Sequence, residues 1–256
     1  MLLAAPAAIA LLFLLLPLAA LLTRAPWPGL SGLLAEPSVR QALQLSLVSA
    51  IAATGLSLLF GVPLAWVLAR LRFPGRRLVK ALVTLPLVLP PVVGGVGLLY
   101  ALGRRGVLGP VLTSLGISLA FSTKGVVLAE TFVAMPFMIV TVQGALASSD
   151  QRYEQAAETL GASTWTTFRR ITLPLVGPSV AAGAVLSFAR ALGEFGATIT
   201  FAGNLPGTTQ TMPLAVYIAL ETDPQAAVAL ALVLLAVSLT ILLLLRERWT
   251  RPGTAA

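Results

Sequence analysis

The sequence predicts an all-α, polytopic membrane protein with about six transmembrane helices. Of its 256 residues, 57% are hydrophobic and only 10% are charged, and its mean hydropathy is +0.94. Soluble domains carry about 25% charged residues, so most of this chain is predicted to lie in lipid. Its apolar stretches are long enough to cross a hydrocarbon core of about 30 Å. The predicted spans, within a single domain of residues 1–256, are residues 2–22, 41–69, 81–102, 125–146, 179–201 and 224–245.

The first apolar stretch, residues 2–22, is either a retained transmembrane helix or a cleaved signal peptide. It lacks a basic N-terminal region and a small-x-small cleavage site, which favours the retained helix. Residues 23–38, with several prolines and an interfacial Trp27, are predicted to form an external loop.

The second span, residues 41–69, contains small residues such as Ser46 and Ser49 that permit close helix packing in lipid. It is followed by a turn at Pro74 and by a cluster of basic side chains. Because positive charge is retained on the cytoplasmic side, this cluster places the end of the span there. The cluster consists of Arg70, Arg72, Arg76, Arg77 and Lys80.

The third span, residues 81–102, contains Pro90, Pro91, Gly94 and Gly95 near its middle, so a regular helix is not expected. Two interpretations are open. Backbone carbonyls freed by a break are tolerated at membrane depth where they line a watery cavity, which would make these residues a wall of a translocation pathway. Alternatively, the segment is a kinked helix packed against its neighbours.

The fourth span, residues 125–146, carries Glu130, and the sixth, residues 224–245, is followed by three arginines. Basic residues are concentrated in the loop after the second span, in residues 150–174 and in the C-terminal tail. The opposite side holds fewer, and this asymmetry predicts that both termini are cytoplasmic. The basic residues on that opposite side are Arg24, Arg40, Arg104, Arg105 and Lys124.

The fifth span, residues 179–201, places Arg190 and Glu194 four residues apart on one helix face. An uncompensated charge at mid-membrane costs about 2.5–3.5 kcal/mol, so the two side chains should pair, face the bundle or touch water. They are either a structural ion pair or part of a pathway or gate for an anion. Thr198, one turn further along, would add a hydroxyl dipole to such a pathway.

Residues 150–174 are the one long polar segment and are predicted to lie in water. Tyr153, Ala156, Ala157 and Leu160 fall on one helical stripe. Gly161 is placed to end this helix, and Ser163 to cap a second short helix that ends near Pro174. The apolar stripe is too small to form a core, and its alanines would let another protein approach closely. The segment is therefore predicted to be a docking loop.

This loop resembles the EAA loop of the permeases of binding-protein-dependent ABC importers. The match rests on the spacing of Ala156-Ala157, Gly161, Ile171 and Leu173-Pro174, although Gln155 stands where the motif has its acidic residue. The resemblance implies the ABC importer permease fold, with a separate ATPase docking on this loop. The docking residues it implies are Tyr153, Glu154, Gln155, Ala156, Ala157, Leu160, Gly161 and Trp165.

Residues 187–221 resemble the molybdate and tungstate branch of these permeases, through the runs FARALGEFGATITFAGN and PGTTQTMPLAVYIALE. This resemblance implies a homodimer that joins two copies of an ABC ATPase. It also implies an extracytoplasmic binding protein that delivers the oxyanion for inward transport by alternating access. The alternatives are a sulfate or thiosulfate permease of the same superfamily, an ion-coupled secondary transporter and, more weakly, a membrane enzyme.

The composition argues against catalysis by this chain. It contains no cysteine and no histidine, which excludes thiol nucleophiles, histidine bases and the usual zinc sites. It also lacks a phosphate-binding loop, so ATP and Mg²⁺ would be bound by the partner ATPase. The net charge of +8 follows from membrane orientation, and no nucleic-acid partner is expected.

Overall fold

The computed structural model describes residues 4–249, and within them all regular structure is helical. The first two residues of the first predicted span and Arg251 of the tail lie outside the described residues. The helices are α1 (Ala4–Thr23), α2 (Leu30–Ala35), α3 (Pro37–Arg70), α4 (Arg76–Leu87), α5 (Pro91–Leu102), α6 (Gly109–Ser114), α7 (Thr123–Ser148), α8 (Arg152–Thr159), α9 (Thr164–Leu175), α10 (Gly177–Leu192), α11 (Gly196–Phe201), α12 (Met212–Thr222) and α13 (Pro224–Trp249).

Four helices, α1, α3, α7 and α13, are long and apolar enough to cross a membrane by themselves. Two further pairs reach the required length together. The bend is 115° between α4 and α5 and 74° between α9 and α10, so up to six spans result if each bent pair counts as one. The predicted all-α, polytopic fold class is confirmed.

The third and fifth predicted spans differ most from continuous helices. The third begins at Arg76 and is interrupted at Val88–Pro90, because Pro90 and Pro91 cannot donate backbone hydrogen bonds. The fifth stops at Leu192, and a separate short helix, α11, follows after three residues. Three helices, α2, α6 and α12, lie where the sequence suggested loop or left the structure open.

Two helices widen into a π turn shortly before a proline. In α3 the wide turn covers Ser57–Gly61 and precedes Pro63, and in α9 it covers Phe168–Thr172 and precedes Pro174. A proline lacks the N–H group and its ring crowds the carbonyl one turn earlier. A wider turn relieves this crowding because it moves the hydrogen bonds by one residue.

Helix α7 is the centre of the bundle, packed on α3, α10, α11 and α5. Small side chains line these crossings. Ala50 and Ala53 of α3, Ala134 of α7 and Ala191 of α10 are completely buried in one cluster. In lipid, where apolar surfaces gain little by meeting each other, such small residues let helix backbones approach closely.

The glycines of α5 serve this close packing. A Cβ atom added at Gly95 would lie 1.7 Å from Oγ1 of Thr200 and 2.8 Å from the carbonyl oxygen of Ala197, both on α11. A Cβ atom at Gly94 would lie 2.7 Å from the ring of Phe132 on α7. Of the two interpretations of this segment, the structure therefore favours helix packing for both glycines.

We expect Gly95→Ala to destabilise the protein, because the methyl group forces α5 away from α11. The cost should be about 1–3 kcal/mol, typical of overpacking. Gly97→Ala on the same helix is the matched control, since nothing lies within 4 Å of its added Cβ atom, and its midpoint should equal or slightly exceed that of the wild type. Thermal unfolding of the purified protein in detergent measures both, and equal midpoints for the two variants would contradict the packing interpretation.

Candidate functional site

The docking loop folds locally as its sequence predicts. The Asp150 carboxylate accepts a hydrogen bond from the backbone N–H of Arg152 at 2.9 Å, just before α8. Gly161 ends the turn after this helix with φ of 81°, a left-handed conformation that favours glycine. Ser163 caps α9 by accepting a hydrogen bond from the N–H of Thr166 at 3.3 Å. Two short helices joined by a sharp turn are confirmed.

Six of the eight predicted docking residues lie on the surface of the loop. Leu160 is 88% exposed, Trp165 66% and Tyr153 60%, which is unusual for large apolar side chains outside lipid. These residues, here called the docking surface, are Tyr153, Gln155, Ala156, Leu160, Gly161 and Trp165. A partner that covered them would remove apolar surface from water. Their contact with an ATPase stays a prediction.

The other two residues, Glu154 and Ala157, turn towards their own chain. Only 9% of Glu154 and 8% of Ala157 is exposed, and they are the buried residues of α8. The expected stripe of Tyr153, Ala156, Ala157 and Leu160 is thus divided, because α8 is held by the side that carries Glu154 and Ala157. These two residues are not free to meet a partner in this structure.

Glu154 is held by Arg70, the last residue of α3. The Nε atom of Arg70 lies 2.8 Å from Oε2 of Glu154, and its Nη2 donates to Oε1 at 3.1 Å. Thr172 of α9 donates its hydroxyl to the same Oε1 at 2.9 Å. The sequence assigned Arg70 only to the basic cluster, since no local pattern links residues so distant along the chain.

Aromatic packing fixes the second helix of the docking loop against α3. The ring of Phe168 lies 5.9 Å from that of Trp66, edge to face, and 5.8 Å from that of Trp165, stacked. Such aromatic pairs contribute about 0.5–1.5 kcal/mol beyond the area they bury. Trp165 therefore belongs both to the docking surface and to the packing that supports it.

Arg190 and Glu194 of the fifth span form an ion pair, one of the arrangements that the sequence left open. Nη2 of Arg190 lies 2.5 Å from Oε2 of Glu194, whose side chain is 1% exposed, while that of Arg190 is 26% exposed. The other carboxylate oxygen of Glu194 accepts the backbone N–H of Ala197 at 2.8 Å, at the start of α11. The negative charge is favourable at a helix N-terminus. This geometry links the break between α10 and α11 and is consistent with a structural pair, and a pathway or gate role stays a prediction.

A second buried carboxylate, Glu130 of α7, lies 1% exposed in the same bundle. Its Oε1 atom accepts a hydrogen bond from Ser49 of α3 at 2.8 Å. Ser46, one turn earlier, accepts the backbone N–H of Met212 at 2.7 Å and so ties α12 to α3. The sequence singled out both serines only for their small size, because their partners lie on other helices.

The residues predicted to line a pathway are not brought to one surface of this chain. Pro90 is exposed, and Pro91 and Arg190 are half-buried. Gly94, Gly95 and Thr198 are buried between helices of the same chain. A pathway role for these residues stays a prediction, and it rests most directly on the exposed break at Pro90.

Comparisons with known proteins give consistent matches. A protein-family model described as "Binding-protein-dependent transport system inner membrane component" matches residues 61–252. The molybdenum transport system permease protein ModB of Mycobacterium tuberculosis (strain ATCC 25618 / H37Rv) is 51% identical over 225 residues, covering 88% of this chain and 85% of the relative. The sulfate transport system permease protein CysT of Escherichia coli (strain K12) is 40% identical over 223 residues, covering 86% and 80%.

The fold also matches a solved structure. A chain in the crystal structure of a bacterial ABC transporter involved in the import of the acidic polysaccharide alginate aligns with a TM-score of 0.75. The alignment covers 96% of this chain and 94% of the other, at 23% sequence identity. At this identity the likeness establishes the fold alone.

We expect Glu194→Leu to lower the stability of the bundle by about 3 kcal/mol, because it leaves Arg190 without its counter-charge and the N–H of Ala197 without an acceptor. Glu194→Gln should cost less, since the amide oxygen still reaches Ala197. Glu221→Gln, at an exposed carboxylate, is the control and should leave stability unchanged. Stability is measured by thermal unfolding in detergent. Midpoints equal to that of the wild type for both Glu194 variants would contradict the structural role.

Proposed function

The chain belongs to the family of binding-protein-dependent transport system inner membrane components, and from that membership we propose that it is the permease subunit of an ATP-driven molybdate importer. Tungstate, a similar tetrahedral dianion, is the other expected cargo. The observation that carries this proposal is the identity of half of the aligned residues with a molybdenum permease. The identity with a sulfate permease is lower, so sulfate or thiosulfate is the second candidate cargo.

The chain is a non-catalytic, multi-pass membrane subunit, and an ATP-driven importer requires further subunits. We propose that it pairs with a second copy of itself and that the pair binds two copies of an ABC ATPase, which hold ATP and Mg²⁺. An extracytoplasmic binding protein would deliver the oxyanion. The basic cluster after α3 and the docking loop would then face the cytoplasm, together with both termini.

The docking surface is the proposed site of energy transfer. It combines exposed large apolar side chains with small neighbours, Ala156 and Gly161, that let a partner come close. ATP binding that closes the ATPase dimer would carry α8 and α9 with it as a rigid body. Because α9 leads directly into α10, this motion would reach the fifth span and exchange inward and outward openings.

A tetrahedral dianion must leave water without being held tightly, so a pathway with weak dipoles and little net charge suits it. We propose that the exposed break at Pro90 and Pro91 borders the pathway. Behind it, Gly95 packs against α11 and Gly94 against Phe132 of α7, and Thr198 is buried within α11. Glu194 pairs with the partly exposed Arg190, which would restrain this cation from trapping the anion.

An ion-coupled secondary transporter is less well supported. It would need a coupling site with titratable groups in the membrane. Of the two intramembrane carboxylates named above, Glu194 is paired with Arg190, and Glu130 accepts a hydrogen bond from Ser49 at one of its two oxygens. Transport by the chain alone, driven by an ion gradient, would decide in favour of this class.

The cargo is tested by reconstituting the chain with its ATPase and binding protein in liposomes. We expect ATP-dependent uptake of radiolabelled molybdate that excess tungstate abolishes and equimolar sulfate leaves unchanged. Stronger competition by sulfate than by tungstate would reassign the cargo to sulfate. Uptake without the ATPase would overturn the proposal that the chain belongs to an ATP-driven importer.

The docking surface is tested by Leu160→Glu, which puts a charge into the predicted apolar contact. We expect co-purification of the ATPase and uptake to fall about tenfold or more, as on loss of an interface anchor. Leu115→Glu is the control, because Leu115 is 67% exposed and lies between Arg105 and Lys124, which are predicted to face the opposite side of the membrane. A Leu160→Glu complex that keeps its ATPase and transports normally would refute the docking assignment.

A further inference from the structure

The ion pair between Arg70 and Glu154 lies at a junction of four elements, and it has no role in the function proposed so far. The Nη1 atom of Arg70 donates to the carbonyl oxygen of Leu146 at 2.8 Å, and Nη2 donates to the hydroxyl of Ser149 at 2.8 Å. Glu154 accepts from the guanidinium and from Thr172. We call these five residues the clamp. It joins the end of α3, the end of α7, the docking helix α8 and α9.

Helix α8 has little else to hold it. Its buried residues are Glu154 and Ala157, so its apolar anchor is a single methyl group. A helix of eight residues is not stable by itself in water. The direction in which the docking surface points is therefore set mainly by the clamp.

The clamp is also well suited to transmit a displacement. The side chains of Arg70 and Glu154 are only 7% and 12% exposed, so water screens the pair weakly. The guanidinium contacts both carboxylate oxygens and two further acceptors, which fixes its orientation as well as its distance. A lysine at this position would keep the charge but could not reproduce the four contacts.

We infer that Arg70 and Glu154 are positioning residues that couple the docking surface to the second and fourth spans. Covering the docking surface pushes on α8, and the clamp passes that displacement directly to the ends of α3 and α7. Without it, only the buried methyl group of Ala157 and the chain connections to α7 and α9 are left to hold α8. This inference rests on the proposed function and adds a second route of coupling to the one through α9 and α10.

The test compares Arg70→Lys, Glu154→Gln and the double variant in the full complex in liposomes. Two readouts are measured: oxyanion transported per ATP hydrolysed, and stimulation of ATP hydrolysis by the loaded binding protein. We expect each single variant to assemble normally and to lose about tenfold in the transport ratio, within the range for residues that carry coupling. The double variant should lose less than the product of the two single losses, because both single variants break the same ion pair.

Glu158→Gln and Arg170→Lys are the matched controls, since both residues are exposed on the same loop and should behave as wild type. Wild-type ratios in both Arg70→Lys and Glu154→Gln would overturn the inference. So would a loss of uptake explained entirely by fewer intact complexes at an unchanged ratio, which indicates stability alone. A wild-type complex that hydrolyses ATP but moves no oxyanion would instead overturn the proposed function.

Discussion

In lipid, apolar helices gain almost nothing by meeting one another, and the architecture of this protein depends on what replaces that driving force. Close approach at small residues is one substitute, as in the alanine cluster of α3, α7 and α10. Hydrogen bonds between helices are the other. Ser187 of α10 donates to the carbonyl oxygen of Ala134 on α7 at 3.1 Å, beside the contacts of Ser46 and Ser49. Breaking one of these hydrogen bonds is costly in free energy, because no water is present at this depth to pair with the freed donor and acceptor.

Features set by local chemistry could be predicted from the sequence, whereas contacts between segments distant along the chain could not. The ends of the docking helices follow from local chemistry at Gly161 and Ser163, and the break of the third span from its prolines. The partner of Glu154 could not be found in this way, since Arg70 lies 84 residues away along the chain. The two interpretations of Gly95 could not be separated in this way either, because a glycine that lines a cavity and one that admits a neighbouring backbone look alike in sequence.

The intramembrane charges and the docking loop differ in how far their side chains are paired or covered within the chain. Inside the membrane, Glu194 pairs with Arg190 and accepts a backbone N–H at the start of α11. On the docking loop, large apolar side chains are left uncovered. The chain belongs to a family of non-catalytic permease subunits, so ATP hydrolysis resides in a separate subunit. Under the function proposed above, selectivity would reside mainly in the external binding protein.

The wide turn at Ser57–Gly61 has a consequence for the far end of its helix. A π turn accommodates one residue more than an α-helical turn, and each residue advances the helix by about 100° around its axis. Every side chain beyond the turn, Arg70 included, is therefore rotated relative to an uninterrupted helix. The direction in which the Arg70 side chain points towards Glu154 therefore depends on this wide turn, which lies about two and a half helical turns earlier, next to Pro63.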